Sequence, residues 1–211
     1  DKASLSRVAP EVSPGLRVLT GIPRADRWPE LRPAAVARVL ALARELVDVV
    51  VVDTGFSLED DEELSYDTLA PRRNGATLTV LERVDRVVVV GLADPVGLAR
   101  LVRGVQALAS VHPEPPLVVV NRVRASAVGA HPTQRIAESL QRFAGIEATE
   151  FISDERAIFD AALLDGRLLV ESAPDSAARA AIRRLVAQVL PGPPHRTEAP
   201  RRRRSWRGRR P

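Results

Sequence analysis

Three runs of the chain are apolar without a break: 48–53 (DVVVVD), 86–91 (RVVVVG) and 117–121 (LVVVN). A strand with one face in water alternates apolar and polar residues, so unbroken β-branched runs read as strands buried on both faces. A shorter run, 16–20 (LRVLT), reads as a strand ended by Gly21 and Pro23, and a further strand falls near 148–152. Helical spacing fills the intervals. In 33–47, Val36, Val39, Leu40, Ala43 and Leu46 recur three to four residues apart behind Pro33, a good first helical residue. Further helices are predicted over about 75–83, 94–110, 132–144, 154–165 and 174–190. Asp94-Pro95 supplies an N-cap and a first turn for the second of these.

Strands alternating with helices at this spacing predict an α/β fold: a doubly wound, mostly parallel sheet with helices on both faces. Ligands of such sheets bind at the carboxyl ends of the strands. Four apolar runs end in small or polar residues: Asp53-Thr54-Gly55, the stretch 91–94 (GLAD), Asn121-Arg122 and Ser153-Asp154. All would project from one edge, which predicts a shared crevice.

Composition narrows the chemistry. Aromatic residues make up only 3% of the chain against 45% apolar, so the core is built from Ala, Val, Leu and Ile. Without Cys there is no disulfide or thiolate metal site, and His112, His131 and His195 lack metal-ligand spacing. No apolar run approaches the roughly 20 residues that span a bilayer, and no signal peptide is visible, which makes a cytoplasmic location the expectation. The net charge of +4 belongs to the end of the chain: 196–211 holds eight Arg and one Glu, leaving a mildly acidic body. The stretch 191–211 has too little apolar surface to fold and is expected to be a disordered tail behind a domain over 1–190. Between Arg201 and Arg210 (RRRRSWRGRR) it could hold nucleic acid or an anionic membrane, with Trp206 stacking on bases or resting at lipid headgroups. The alternative is a passive, solubilising extension. The acidic stretch 59–63 reads as a solvated face, and Trp28 and Tyr66 as packing anchors.

Taken in order, the segments 15–21 (GLRVLTG), 48–55 (DVVVVDTG), 84–101 (VDRVVVVGLADPVGLARL), 116–123 (PLVVVNRV) and 153–185 resemble the later part of a MinD/ParA-type P-loop ATPase of the SIMIBI class, in the flavour of Cpa-type pilus-assembly and septum-site proteins. The resemblance implies ATP and Mg²⁺ as cofactors. It places Asp53 as the catalytic carboxylate that orders Mg²⁺ through water, with Thr54 and Gly55 as switch backbone near the γ-phosphate. It makes Asn121 the reader of adenine, flanked by Arg122, and puts Asp154 beside the base. A side-chain amide both donates and accepts, as an adenine edge requires. The residues after Asn121 (Arg122, Val123, Arg124) offer no acid for a guanine amino group, which favours ATP over GTP. Each site residue also has a plainer reading: Asp53 ends a strand, Asn121 stabilises its own turn, and Asp154 caps the next helix. The Pro-x-Asp common beside the base is absent, since Ser153 precedes Asp154.

The family's glycine-rich, lysine-containing phosphate loop is missing. Lys2 is the only lysine and no Gly-x-Gly occurs. Such loops wrap phosphates with backbone N–H groups, so this chain alone is expected to bind no ATP. Because the loop lies upstream in the family and the chain opens on Asp1, the resemblance implies the C-terminal part of a dimerising ATP-dependent positioning switch, at the nucleoid or a membrane surface. The other reading is a non-hydrolysing interaction domain of the same fold. Without the phosphate-loop strand, the sheet should either close up between 48–53 and 86–91 or leave an apolar slot there.

Overall fold

The chain runs α1 (Lys2–Val8), β1 (Glu11–Ser13), β2 (Leu16–Arg17), a 3-10 turn (Ala25–Glu30), α2 (Pro33–Arg44), α3 (Gly75–Leu81), β3 (Val88–Leu92), α4 (Pro95–Leu108), β4 (Leu117–Val123), α5 (Ala125–Val128), α6 (Pro132–Ala144), β5 (Glu150–Ser153), α7 (Arg156–Leu164), α8 (Leu169–Ser172) and α9 (Ala177–Val189). This computed structural model describes residues 1–59 and 72–190. The chain divides into two compact units, Asp1–Arg156 and the part from Ala157 onward. The stretch 60–71, with most of the expected acidic loop and Tyr66, and the whole tail from 191 lie outside the described residues.

In the first unit β3, β4 and β5 form a parallel sheet in that order. β4 is its centre. Val118, Val119 and Val120 are consecutive and all buried, and since neighbours on a strand face opposite ways, both sheet faces are covered there. Val118, Val120 and Val123 join Leu101 of α4 and Ile136 and Leu140 of α6 in the core, with Leu98, Val102 and Val105 packed against them. That 98, 101, 102, 105 spacing gives α4 one apolar stripe.

Local signals set the helix ends. The Asp94 carboxylate accepts from Gly97 N at 2.8 Å and Pro95 follows as the first helical residue. α6 stops at Gly145, which takes the left-handed φ of +63° and donates to Gln141 O at 3.0 Å; Ile146 then turns back to Leu140 O and buries its side chain. Gly97 is required for another reason. A Cβ there would lie 2.6 Å from both Leu92 O and Leu92 Cβ, so α4 can follow β3 this tightly only without a side chain at 97.

Two expected strands do not join the parallel sheet. The run 16–20 contributes only β2, which pairs antiparallel with β1. The local turn wins because Gly15 supplies a φ of +76° behind Pro14 and closes a hairpin. The run 48–53 forms no ladder among the described residues, and Val51 is 90% exposed. Its apolar pattern suits a central strand, but no described strand lies in register beside it. Among the described residues β3, expected to be buried on both faces, is therefore an edge strand, and Val90 is 59% exposed. Of the two outcomes expected for the sheet, closing up between 48–53 and 86–91 is not seen among the described residues. α1 carried no sequence prediction: it is seven residues long, too short for periodicity, and is started by Asp1 accepting from Ser4 N.

The second unit carries α8, α9 and all but the first residue of α7. Ser176 Oγ caps α9 by accepting from Arg179 N at 3.3 Å, and Ala178 and Ala181 are buried. No helix among the described residues is long and apolar enough to cross a membrane.

Candidate functional site

Three of the four strand-end clusters share one edge. Ala93 N donates to Asn121 O at 3.0 Å, joining the end of β3 to that of β4, and Asp154 N donates to Val123 O at 3.0 Å, joining β4 to β5. A crevice outside the carboxyl ends of parallel strands is the position that parallel sheets offer to ligands. The stretch 91–94, Asn121-Arg122 and Ser153-Asp154 line up there in sheet order.

The Asn121 side chain serves its own turn: Oδ1 accepts from Arg122 N at 2.8 Å. Arg122 takes φ +56°, the left-handed region that a side chain normally disfavours. The local bond orients the Asn121 amide, leaving its Nδ2 as the group able to meet a ligand. Asp154 is committed further. Its Oδ2 accepts from Arg124 Nη1 at 3.1 Å and from Arg156 Nε at 3.3 Å, and its side chain is only 6% exposed. Asp154 is thus the shared anion between two arginines rather than a free acceptor. Neither arginine was singled out in the sequence. Arg124 follows β4 on the same parity as Arg122, but nothing in the sequence says that it crosses to β5.

The fourth cluster stands apart. Asp53 is exposed and makes no hydrogen bond or ion pair with a described residue, and Thr54 is half-buried. A Cβ on Gly55 would lie 3.7 Å from Thr77 Oγ1, so this end of the run meets α3. Asn74 Nδ2 donates to Ser57 Oγ at 3.2 Å and to Glu59 O at 2.7 Å, which ties the next residues to the start of α3 as well. Nothing described links Asp53 to Asn121, Arg122 or Asp154. A cleft of about 270 Å³ between α2 and α3, lined by Pro33, Ala37, Leu78 and Glu82 among others, contains none of the expected residues.

The fit to Mg²⁺ and ATP is partial. Asp53 is a hard, uncommitted carboxylate of the type that Mg²⁺ takes through water, and Asn121 Nδ2 suits a base edge. No group of three or more carboxylates and imidazoles converges among the described residues. The N-terminus of α4, which follows β3 at the shared edge, is filled by the Asp94 carboxylate. A triphosphate needs several N–H donors and cationic side chains together. At the shared edge Arg124 and Arg156 are already bound to Asp154 and the α4 N-terminus is capped, so the described residues there do not fit the phosphates.

No protein-family model matches the chain, and no curated protein matches it in sequence. Among solved structures it is similar to a ParA family ATPase from Chlorobium tepidum TLS, with a TM-score of 0.69 at 19% identity, covering 89% of this chain and 69% of that one. At this identity the likeness is one of architecture: three parallel strands flanked by helices, in the fold of a ParA-type P-loop NTPase.

Proposed function

We propose that this chain is the base- and metal-side part of a MinD/ParA-like ATP-dependent positioning switch, whose phosphate-binding loop is contributed by a segment outside these 211 residues. The observation that supports it most directly is the alignment of 91–94, Asn121-Arg122 and Ser153-Asp154 along one sheet edge, in a fold shared with a ParA family ATPase. In this reading Asp53 orders the Mg²⁺ shell, Thr54 and Gly55 report on the γ-phosphate, and Asn121 with Arg122 meets adenine. Asp154 holds Arg124 and Arg156 as a rim beside the base. The switch dimerises around ATP, acts in the cytoplasm, and resembles Cpa-type pilus-assembly and septum-site proteins most. The tail beyond 191 tethers it to nucleic acid or to an anionic surface.

A second reading, a non-hydrolysing interaction domain, draws on one specific observation: Asp154 and the α4 N-terminus are already occupied by protein groups. Calorimetry with Mg·ATP separates the two. The 211-residue chain should show no saturable binding. A version extended upstream through an in-frame glycine-lysine loop should bind ATP and hydrolyse it, and Asp53→Asn should abolish the hydrolysis. Asn121→Ala in that version should weaken binding by roughly 1–3 kcal/mol, the cost of polar base atoms left unpaired. Micromolar ATP affinity in the 211 residues alone would overturn the division of the site. Undiminished turnover in both variants would remove the roles given to Asp53 and Asn121.

A further inference from the structure

The cleft between α2 and α3 has no part in the nucleotide reading, and its two ends differ. One end is pinched: a Cβ on Gly75 would lie 3.1 Å from Pro33 Cγ, so the first turns of the two helices close on each other. Arg72, at that end, already has an interaction of its own. The other end carries charge of both signs, from Glu82 and Arg83, which follow the last residue of α3. Between the ends, Ala34 and Ala37 of α2 and Leu78 of α3 make apolar walls. Gly75, Leu78, Thr79 and Glu82 fall on one stripe of α3, so the cleft grades from apolar to charged along a single helix face.

The two charges are uncommitted while their backbone is fixed. Neither the Glu82 carboxylate nor the Arg83 guanidinium makes a hydrogen bond or ion pair with a described residue. Glu82 N donates to Leu78 O at 3.0 Å and Arg83 N to Val80 O at 2.9 Å. Arg44 clamps the turn from α2: its Nη2 donates to Arg83 O at 2.6 Å and to Asp85 Oδ2 at 2.9 Å. The clamp spends Arg44 on the backbone and on Asp85, which leaves Arg83 as the cation presented at this end.

We infer that this cleft binds one free aliphatic α-amino acid, with its carboxylate on Arg83, its ammonium on Glu82 and its side chain between Ala34, Ala37 and Leu78. A guanidinium takes a carboxylate through two parallel N–H groups, and a carboxylate takes an ammonium. A ligand that carries both charges on neighbouring atoms answers both residues and leaves no net charge. A phosphate or another simple anion would be repelled by Glu82. Size agrees, because a cleft of about 270 Å³ falls below the roughly 300–1,000 Å³ of pockets that take larger ligands. The apolar walls set the side chain, since a charged one would lose its water there without gaining a partner. The site goes beyond the nucleotide reading and does not depend on it, since no phosphate, base or metal takes part.

Amide chemical shifts of the full chain, titrated with L-leucine, test the inference. Three controls each lack one part: 4-methylpentanoate the ammonium, 3-methylbutylamine the carboxylate, and glycine the side chain. Leucine should shift the amides of Leu78, Thr79, Glu82 and Arg83, together with those of Ala34 and Ala37, along one saturable curve. Exposed charges contribute little each, so the expected Kd is on the order of 1 mM. Each control should bind roughly threefold or more weakly, and Glu82→Gln and Arg83→Gln should each weaken leucine by roughly threefold or more. The ligand series tests the same contacts without altering the chain. Absence of a saturable shift in the cleft overturns the inference. Binding of 4-methylpentanoate or of the amine as tight as that of leucine overturns it as well, because only one charge would then count. So does glycine binding as tight as leucine, or leucine binding that both variants leave unchanged.

Discussion

Arg124 Nη1 lies 3.1 Å from Asp154 Oδ2, and this contact ties the residue that follows β4 to the residue that follows β5. The aspartate side chain is 6% exposed and the arginine 37%. Removing the arginine leaves a nearly buried carboxylate with Arg156 as its remaining ionic partner. Arg124→Ala should therefore cost about 1–2 kcal/mol, less than a fully buried pair would because the arginine is partly solvated. A urea-denaturation cycle of Arg124→Ala, Asp154→Ala and the double variant measures the coupling. Additive effects would mean that the two side chains only lie near each other.

Gly97 should not tolerate a methyl group. Alanine is favoured over glycine in a helix by roughly 1 kcal/mol, yet a Cβ at 97 would meet the Leu92 backbone oxygen at 2.6 Å. Steric cost should exceed the helical gain, so Gly97→Ala should be destabilising by about 1–3 kcal/mol. Gly104 sits in the same helix with open space around its Cβ position. Gly104→Ala should stabilise, and thermal melts of the two variants should move in opposite directions.

Arg122 holds φ +56° with Asn121 Oδ1 on its N–H. A β-branched side chain resists that region more than arginine does, and glycine does not resist it. Arg122→Val should lose about 1–2 kcal/mol while Arg122→Gly stays within about 1 kcal/mol of the parent chain. Equal losses in both would place the importance of Arg122 in its side chain.

Lys2 Nζ lies 2.6 Å from Glu45 Oε2, joining α1 to the end of α2. That hydrogen bond first, and the charge of Lys2 second, hold the Glu45 carboxyl below its ordinary range. A depressed carboxyl pKa stabilises the fold above the unfolded value, and the contribution is lost as pH falls through the folded value. The contribution is therefore present at neutral pH and disappears in acid. Both groups are exposed, so its size is small. NMR titration should show the Glu45 pKa rising toward normal in Lys2→Ala, and added salt should shrink the difference between the two chains.

Legibility in the sequence followed the range of the interactions. α6 falls at the predicted residues, and the cap at Asp94 and the first turn at Pro95 were plain, because each is decided by side chains within one turn. The central strand was equally plain, since Val118–Val120 can be unbrokenly apolar only if both faces are covered. By contrast, 48–53 has the pattern of a central strand and lacks a described neighbour to pair with. A ladder needs two partners, and a pattern in one segment cannot report on the other. At the candidate site Asn121 and Asp154 were picked out by type and place. Their present commitments, to Arg122 N and to Arg124 and Arg156, depend on rotamers and on contacts up to 30 residues apart.

The Arg44 clamp also bears on the order in which the molecule forms. Arg44 Nη2 donates to Arg83 O and to Asp85 Oδ2, 39 and 41 residues further on, and the described part of the chain between them builds no sheet. The pairings of β3 with β4 and of β4 with β5 span comparable separations, but each is bridged by a helix, α4 or α6, that shortens the search. Ordering a loop before its ends make a rewarding contact is what slows folding. The β3–β4–β5 layer should therefore assemble early, and α1, α2 and the 48–53 run should dock late. Their amides would then be the first to open under native conditions, a hierarchy of opening free energies within a single unit.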